Sequence, residues 1–154
     1  MILYHGSYKM IDRVCLAESR PHKDFGRGFY LTPFRSHAMD MARKKAERNG
    51  GLPVVTAFQL CDGWDSTGLK VLVFDKETTD WVKFVSSNRE VRDYTHDYDI
   101  VVGPVADDGL RNKMFLLKRG VTTPEEILKE ITFKERTVQY CFCTEMSLKY
   151  LKLL

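Results

Sequence analysis

The chain has 154 residues, 44% hydrophobic and 29% charged, a size and balance that suit one packed core and exclude a disordered segment. With 24 Lys and Arg against 21 Asp and Glu, the net charge of +3 is too small to mark a nucleic-acid partner, and no run approaches the roughly 20 apolar residues of a membrane span. The N-terminus lacks a basic segment followed by an apolar one, and Cys15, Cys61, Cys141 and Cys143 are too few and too irregular for a disulfide scaffold or a zinc site. The expectation is therefore a single domain over residues 1–154, cytoplasmic, with reduced thiols, no membrane association and no metal.

Residues 2–5 read as a short strand stopped by Gly6-Ser7, and residues 28–32 (GFYLT) as a second strand stopped by Pro33. From Ser36 to about Arg48 a helix is expected, with Ala38, Met41, Ala42 and Lys45 on one face, Ser36 as N-cap and Asn49-Gly50-Gly51 as the stop. The basic residues Arg43, Lys44, Lys45 and Arg48 read as its solvated face. Residues 53–60 and 69–74 are β-branched or aromatic runs around a turn-rich segment and predict paired strands. Helices follow at 79–87, 112–118 and 124–131, the last capped by Thr123 with Pro124 in its first turn. Strands are expected at 99–102 and 138–143, with residues 145–154 closing the chain as a helix. The elements interleave without a regular βαβ rhythm, which predicts an α+β fold.

Three segments carry chemistry. A strand ending in His5-Gly6-Ser7 leaves an imidazole at a sheet edge, where a residue without Cβ lets a flat ligand approach the backbone; a satisfied structural histidine reads the same way. In Asp24-Phe25-Gly26-Arg27-Gly28-Phe29-Tyr30, paired glycines around a basic residue suit a loop over a polyanion, and the Tyr30 ring can stack on a heterocycle. The segment has neither GxGxxG nor GxxxxGK[ST], so a Rossmann or P-loop site is not supported. In the late strand, alternation puts Gln139, Cys141 and Cys143 on one face and Tyr140 with Phe142 on the other; Gln139 could reach a ligand or serve as an ordinary bonded amide.

Together the three resemble the diphtheria-toxin-like and poly(ADP-ribose)-polymerase-like branch of the ADP-ribosyltransferase superfamily, in the order His-Gly, Gly-x-Gly-x-Tyr and a late strand with the third catalytic residue. More narrowly, His5-Gly6-Ser7, DFGRGFYLT, Trp81 with Asn88-Arg89, YDIVVGPVADD and QYCFCTEMSLKYL resemble a bacterial family of uncharacterised domains grouped there. The resemblance implies split antiparallel β-sheets forming an NAD-binding cleft flanked by helices. It implies catalytic roles for His5, Tyr30 and Gln139: His5 on the adenosine ribose, Tyr30 stacked on nicotinamide. The Gly6 backbone would hold the carboxamide beside Ser7, with Asp24, Gly26, Arg27 and Gly28 in the loop over the dinucleotide and the Ser36 hydroxyl near the carboxamide.

Many relatives place Glu where Gln139 stands. A neutral amide forfeits a Coulomb stabilisation of roughly 3 kcal/mol for unit charges ~5 Å apart at an effective dielectric of ~20, about a hundredfold in rate. Polymer elongation is therefore not expected. The resemblance implies a mono-ADP-ribosyltransferase that uses NAD as co-substrate and acts on an unidentified macromolecular acceptor, protein or nucleic acid. By family analogy it is a toxin or defence effector with a neutralising antitoxin or immunity protein as partner. NAD glycohydrolase and an inactive NAD- or ADP-ribose-binding module are the alternatives. Candidate acceptor-activating bases are Asp99, Asp107, Asp108 and Glu145, with Asp107-Asp108 equally readable as a helix cap.

Overall fold

A computed structural model describes residues 1–66, 68–106, 108–131 and 137–154. Strands β1 (Ile2–Ser7), β2 (Phe29–Leu31), β3 (Val54–Leu60), β4 (Val71–Val73), β5 (Ile100–Pro104), β6 (Val138–Phe142) and β7 (Leu151–Leu153) form two open sheets, ordered β1-β3-β7 and β2-β6-β5-β4. Helices α1 (Arg35–Asn49), α2 (Thr79–Glu90), α3 (Asp108–Lys118), α4 (Pro124–Glu130) and α5 (Glu145–Leu148) complete an α+β architecture. None of the described helices is long and apolar enough to cross a membrane.

Strand alternation builds the layers. In the four-stranded sheet, Phe29, Leu31, Ile100, Val102 and Phe142 point one way and meet Leu3, Phe58 and Leu60 of the other sheet in one apolar cluster. The residues between them, Tyr30, Val101 and Cys141, point the opposite way and meet Trp81, Val82 and Val85 of α2, Leu110 and Met114 of α3, and Ile127 of α4. Helix α1 covers the outer face of the three-stranded sheet, where Ala38 and Ala42 leave room for close approach to β1. A Cβ on Gly6 would overlap the Ala38 carbonyl oxygen, so this glycine is required by helix packing.

Four local expectations change. The strands expected as a pair, β3 and β4, lie in different sheets, and β4 instead runs parallel to β5, so the sheets are not wholly antiparallel. Ser36 is exposed inside the first turn of α1 while Phe34 holds the N-cap position with no side-chain bond, so Ser36 is not the cap. Met41 is 49% exposed rather than inward-facing. The expected C-terminal helix stops at Leu148, and β7 pairs with β3, Leu151 opposite Leu60. Thr123 does cap α4, in a reciprocal capping box with Glu126.

Candidate functional site

Among the described residues the two sheets touch edge to edge at a single bridge, where Tyr4 N–H donates to Thr32 O (2.8 Å) and Thr32 N–H donates to Tyr4 O (2.9 Å). Antiparallel alternation then turns the N–H and C=O of Gly6, two residues on, toward the same gap and away from β3. The ladder does not continue. The His5 imidazole enters instead, its Nδ1 2.7 Å from Tyr30 O, and stacks on Phe29 with ring centroids 4.4 Å apart. Because Nδ1 meets a carbonyl it carries the proton, which leaves Nε2 as an acceptor. A side chain thus takes the carbonyl that a backbone N–H would otherwise pair, and the Gly6 N–H has no bonding partner among the described residues.

Lys45 of α1 completes this corner. Its Nζ donates to Gly6 O at 2.6 Å and lies 3.4 Å from His5 Nε2. Burial first, and the Lys45 charge second, lower the His5 pKa to about 3, so the ring is neutral near pH 7. Burial, reinforced by the Lys23 charge, lowers the Lys45 pKa to about 8. For His5 the folded value lies below the unfolded one, so the unfolded chain binds more protons in between; the stability contribution is complete above about pH 6.5 and is lost as pH falls toward 3. The expected result is a His5 ring that stays neutral at pH 5 in a histidine-resolved NMR titration; a His5 ring protonated at that pH would contradict its burial beside Lys45.

Tyr30 is fixed from its hydroxyl inward. It donates to Gly26 O (2.7 Å) and accepts from Phe25 N–H (3.0 Å), closing the loop that precedes β2, and burial raises its pKa well above the usual phenol value. Lys23 Nζ lies 4.6 Å from the ring centroid and bonds Ser19 Oγ at 3.0 Å. The loop glycines answer to packing: Gly26 has φ of 76° and faces the Asn88 side chain, while a Cβ on Gly28 would overlap Cys141 Sγ. Arg27 is exposed and reaches Ala17 O at 3.4 Å. Ser7 is buried at the end of β1, and Ser36 has no contact with this corner among the described bonds.

Gln139 sits on the same sheet face as Tyr30 but binds protein. Its Nε2 donates to Asp24 Oδ2 (2.7 Å) and Pro104 O (3.2 Å). The same Asp24 carboxylate, 5% exposed, accepts from Ala106 N–H at 3.0 Å and from both Nε and Nη2 of Arg89. With four donors it has no vacant lone pair to offer a ligand, so Asp24 and the Gln139 amide nitrogen pin the loop, α2, β5 and β6 together. From the sequence both are expected to face the ligand; in the structure the charge of Asp24 is paired with Arg89 and the Gln139 amide nitrogen is bonded within the protein. Among the proposed bases, Asp99 is also engaged, by Thr144 Oγ1 (2.6 Å) and Lys70 N–H (2.9 Å). Exposed Glu145 borders a different cavity with Phe58, Leu148 and Leu151. Asp107 lies outside the described residues, as does the side chain of Asp108.

His5, Gly6, Tyr30 and the 24–28 loop therefore converge, with Gln139 behind the loop. The segments that meet here, around residues 5, 24–30, 89, 104–106 and 139, are those that stood out in the sequence, and they span nearly the whole chain. Residues 1–153 match the family described as protein of unknown function (DUF3990). The chain belongs to that family. No curated protein and no solved structure matches it.

Sequence reasoning missed Lys23 and Lys45 in this DUF3990 chain, and it singled out Arg89 without giving it a role. Lys45 had a readable signal, since Ala38, Ala42 and Lys45 fall at i, i+4 and i+7 of the inward face of α1; its place in a basic run concealed it. Two shallow cavities, about 430 and 320 Å³, are lined by residues around β7 and around residues 73–80, neither set including His5, Tyr30 or Gln139.

Proposed function

We propose that the chain binds NAD at the corner formed by His5, Gly6 and Tyr30, cleaves the nicotinamide–ribose bond, and transfers ADP-ribose to a macromolecular acceptor. The observation that carries this reading is the interrupted ladder: His5 occupies Tyr30 O and leaves the Gly6 N–H facing the gap, while the phenol ring of Tyr30 is anchored through its hydroxyl to the 24–28 loop. A backbone N–H and C=O two atoms apart on an edge strand match the donor and acceptor of a carboxamide. Here Lys45 Nζ holds the C=O that carboxamide N–H groups would take. The Lys23 ammonium lies over the ring face that a cationic nicotinamide would cover, held by the same cation–π attraction.

In the reaction, the glycosidic C–N bond breaks and its electron pair goes to the nicotinamide nitrogen, which leaves neutral. The anomeric carbon becomes oxocarbenium-like, an acceptor nucleophile attacks from the opposite face with inversion, and its proton passes to solvent or a base. His5 Nε2, an acceptor at neutral pH, orients a ribose hydroxyl, and Tyr30 orients the leaving ring. With the Gln139 amide neutral and Asp24 neutralised by Arg89, no carboxylate with a free oxygen opposes the developing charge among the described residues of this corner. Slow single transfer follows rather than polymer growth, and the same feature favours, as a second reading, a module that binds NAD without cleaving it.

Incubation with NAD labelled in the adenylate half, together with cell extract, separates the outcomes. Label on protein or nucleic acid supports transfer, and free ADP-ribose means hydrolysis. Intact NAD that nevertheless binds means a recognition module, while neither binding nor cleavage rejects the reading.

A further inference from the structure

Half-buried lysines are ordinarily paired, because an ammonium removed from water without a counter-charge is destabilising. Three lysines of this chain are paired in this way: Lys9 with Glu18, Lys70 with Asp97 and half-buried Lys113 with Glu130. Lys23 and Lys45 are more buried than the first two and have no acidic partner among the described residues. Their surroundings add charge of the same sign. Lys23 is close enough to depress the Lys45 pKa, and Arg20 and Arg27 depress that of Lys23, after burial in both cases. Lys45 lies on Gly6 O, beside the unpaired Gly6 N–H, and Lys23 lies over the ring of Tyr30 on the facing strand, with Arg20 and Arg27 close enough to act on Lys23.

We propose that Lys23 and Lys45 form the seat of a diphosphate, with Arg20 and Arg27 at its rim. The inference deepens the NAD reading and rests on it for the identity of the ligand as a dinucleotide. Two ammonium groups facing one gap without a carboxylate are organised for a ligand with two adjacent anionic groups, and the low local dielectric strengthens each contact. Seating the anion removes the mutual repulsion of the lysines. It also draws Lys23 from the face of Tyr30, clearing that ring for a planar group, so that the phosphates and the ring are accepted together.

The site carries a pH signature. The groups facing Lys45 are His5 from β1, neutral above about pH 3, and Lys23 from the loop; β3, the other strand packed on α1, has no charged residue. Lys45 therefore loses its proton near pH 8 when the seat is empty, and anion binding weakens as pH rises through that value.

The test uses inorganic pyrophosphate and the intact chain in titration calorimetry, with Lys23→Gln, Lys45→Gln and the double variant. Saturable binding at pH 7 is expected, with at least about a tenfold loss in each single variant and a marked weakening at pH 9.5. Melting temperatures of the variants should be unchanged or higher, because no ion pair is removed; unfolding of Lys45→Gln would instead give that lysine a structural role and reject the seat. Absent pyrophosphate binding, or binding unaffected in the double variant, overturns the proposal. If NAD is cleaved with unchanged KM by the double variant, the seat is wrong and the NAD reading stands. If pyrophosphate binds but NAD neither competes nor is cleaved, the seat stands and the NAD reading fails. Competition by a single-stranded oligonucleotide but not by ADP-ribose would assign the phosphates to nucleic acid and reject the dinucleotide.

Discussion

Asp24→Ala lowers folding stability by about 3–5 kcal/mol, the usual loss when one member of a buried ion pair is removed. Three groups lose this acceptor at once, the Arg89 guanidinium, the Ala106 N–H and the Gln139 amide, of which the last keeps Pro104 O. Arg89 is left buried and charged, and the loop, α2, β5 and β6 lose the carboxylate that joins all four. Gln139→Glu tests the same network from the other side, placing a second carboxylate where an amide N–H donates to Asp24 at 2.7 Å. Two adjacent carboxylates cannot both ionise cheaply, so the introduced group has a folded pKa above its unfolded value of about 4.3. The folded variant then binds the extra proton, and the sign is fixed: its stability approaches that of the parent near pH 4 and falls behind as pH rises to 7. Urea unfolding at both pH values reads this difference. A Gln139→Glu protein as stable as the parent at pH 7 would show that the amide does not face Asp24. The network also removes the simple expectation that restoring Glu restores the missing Coulomb stabilisation, because the new charge would be directed at Asp24 rather than at a ligand.

His5→Asn lowers NAD turnover by at least about a hundredfold while the melting temperature shifts by only a few degrees. The Asn amide nitrogen falls close to the position of the imidazole Nδ1, so the bond to Tyr30 O can be kept, but nothing replaces Nε2. Loss of one oriented hydrogen bond to a reacting group costs about 10²–10³ in rate. His5→Gln, whose amide nitrogen reaches instead toward the Nε2 position, should lose the Tyr30 contact and with it stability. Turnover measured with labelled NAD in both variants separates the ring's two nitrogens: equal activity of parent and His5→Asn would leave Nε2 without a role.

The parts of the fold legible in the sequence are those fixed by neighbours along the chain. Alternation in VQYCF assigned the faces of β6 correctly, with Cys141 toward the helices and Phe142 between the sheets. Thr123-Pro124 announced α4 through capping chemistry. What failed depends on partners far away. Residues 145–154 contain Leu148, Leu151 and Leu154 at helical spacing, yet the docking of 151–153 against β3 outweighs that local pattern. Likewise β4 finds β5 rather than the strand nearest in sequence. At the site, His5, Gly6 and Tyr30 were visible as residue types. The bonding of Gln139 was not, since a single amide gives no hint of a carboxylate 115 positions away. Lys45 was hidden because a lysine on an inward helical face reads as polar until its neighbours are known.

The most direct measurement is an NMR titration of isotopically labelled protein with NAD, following the Gly6 amide, the His5 ring and the Tyr30 ring. Saturable shifts concentrated on these three groups, largest at the Gly6 N–H because it has no partner to surrender, are the predicted result. No saturable shift, or shifts confined to the cavity beside β7, would contradict the assignment of this corner as the NAD site.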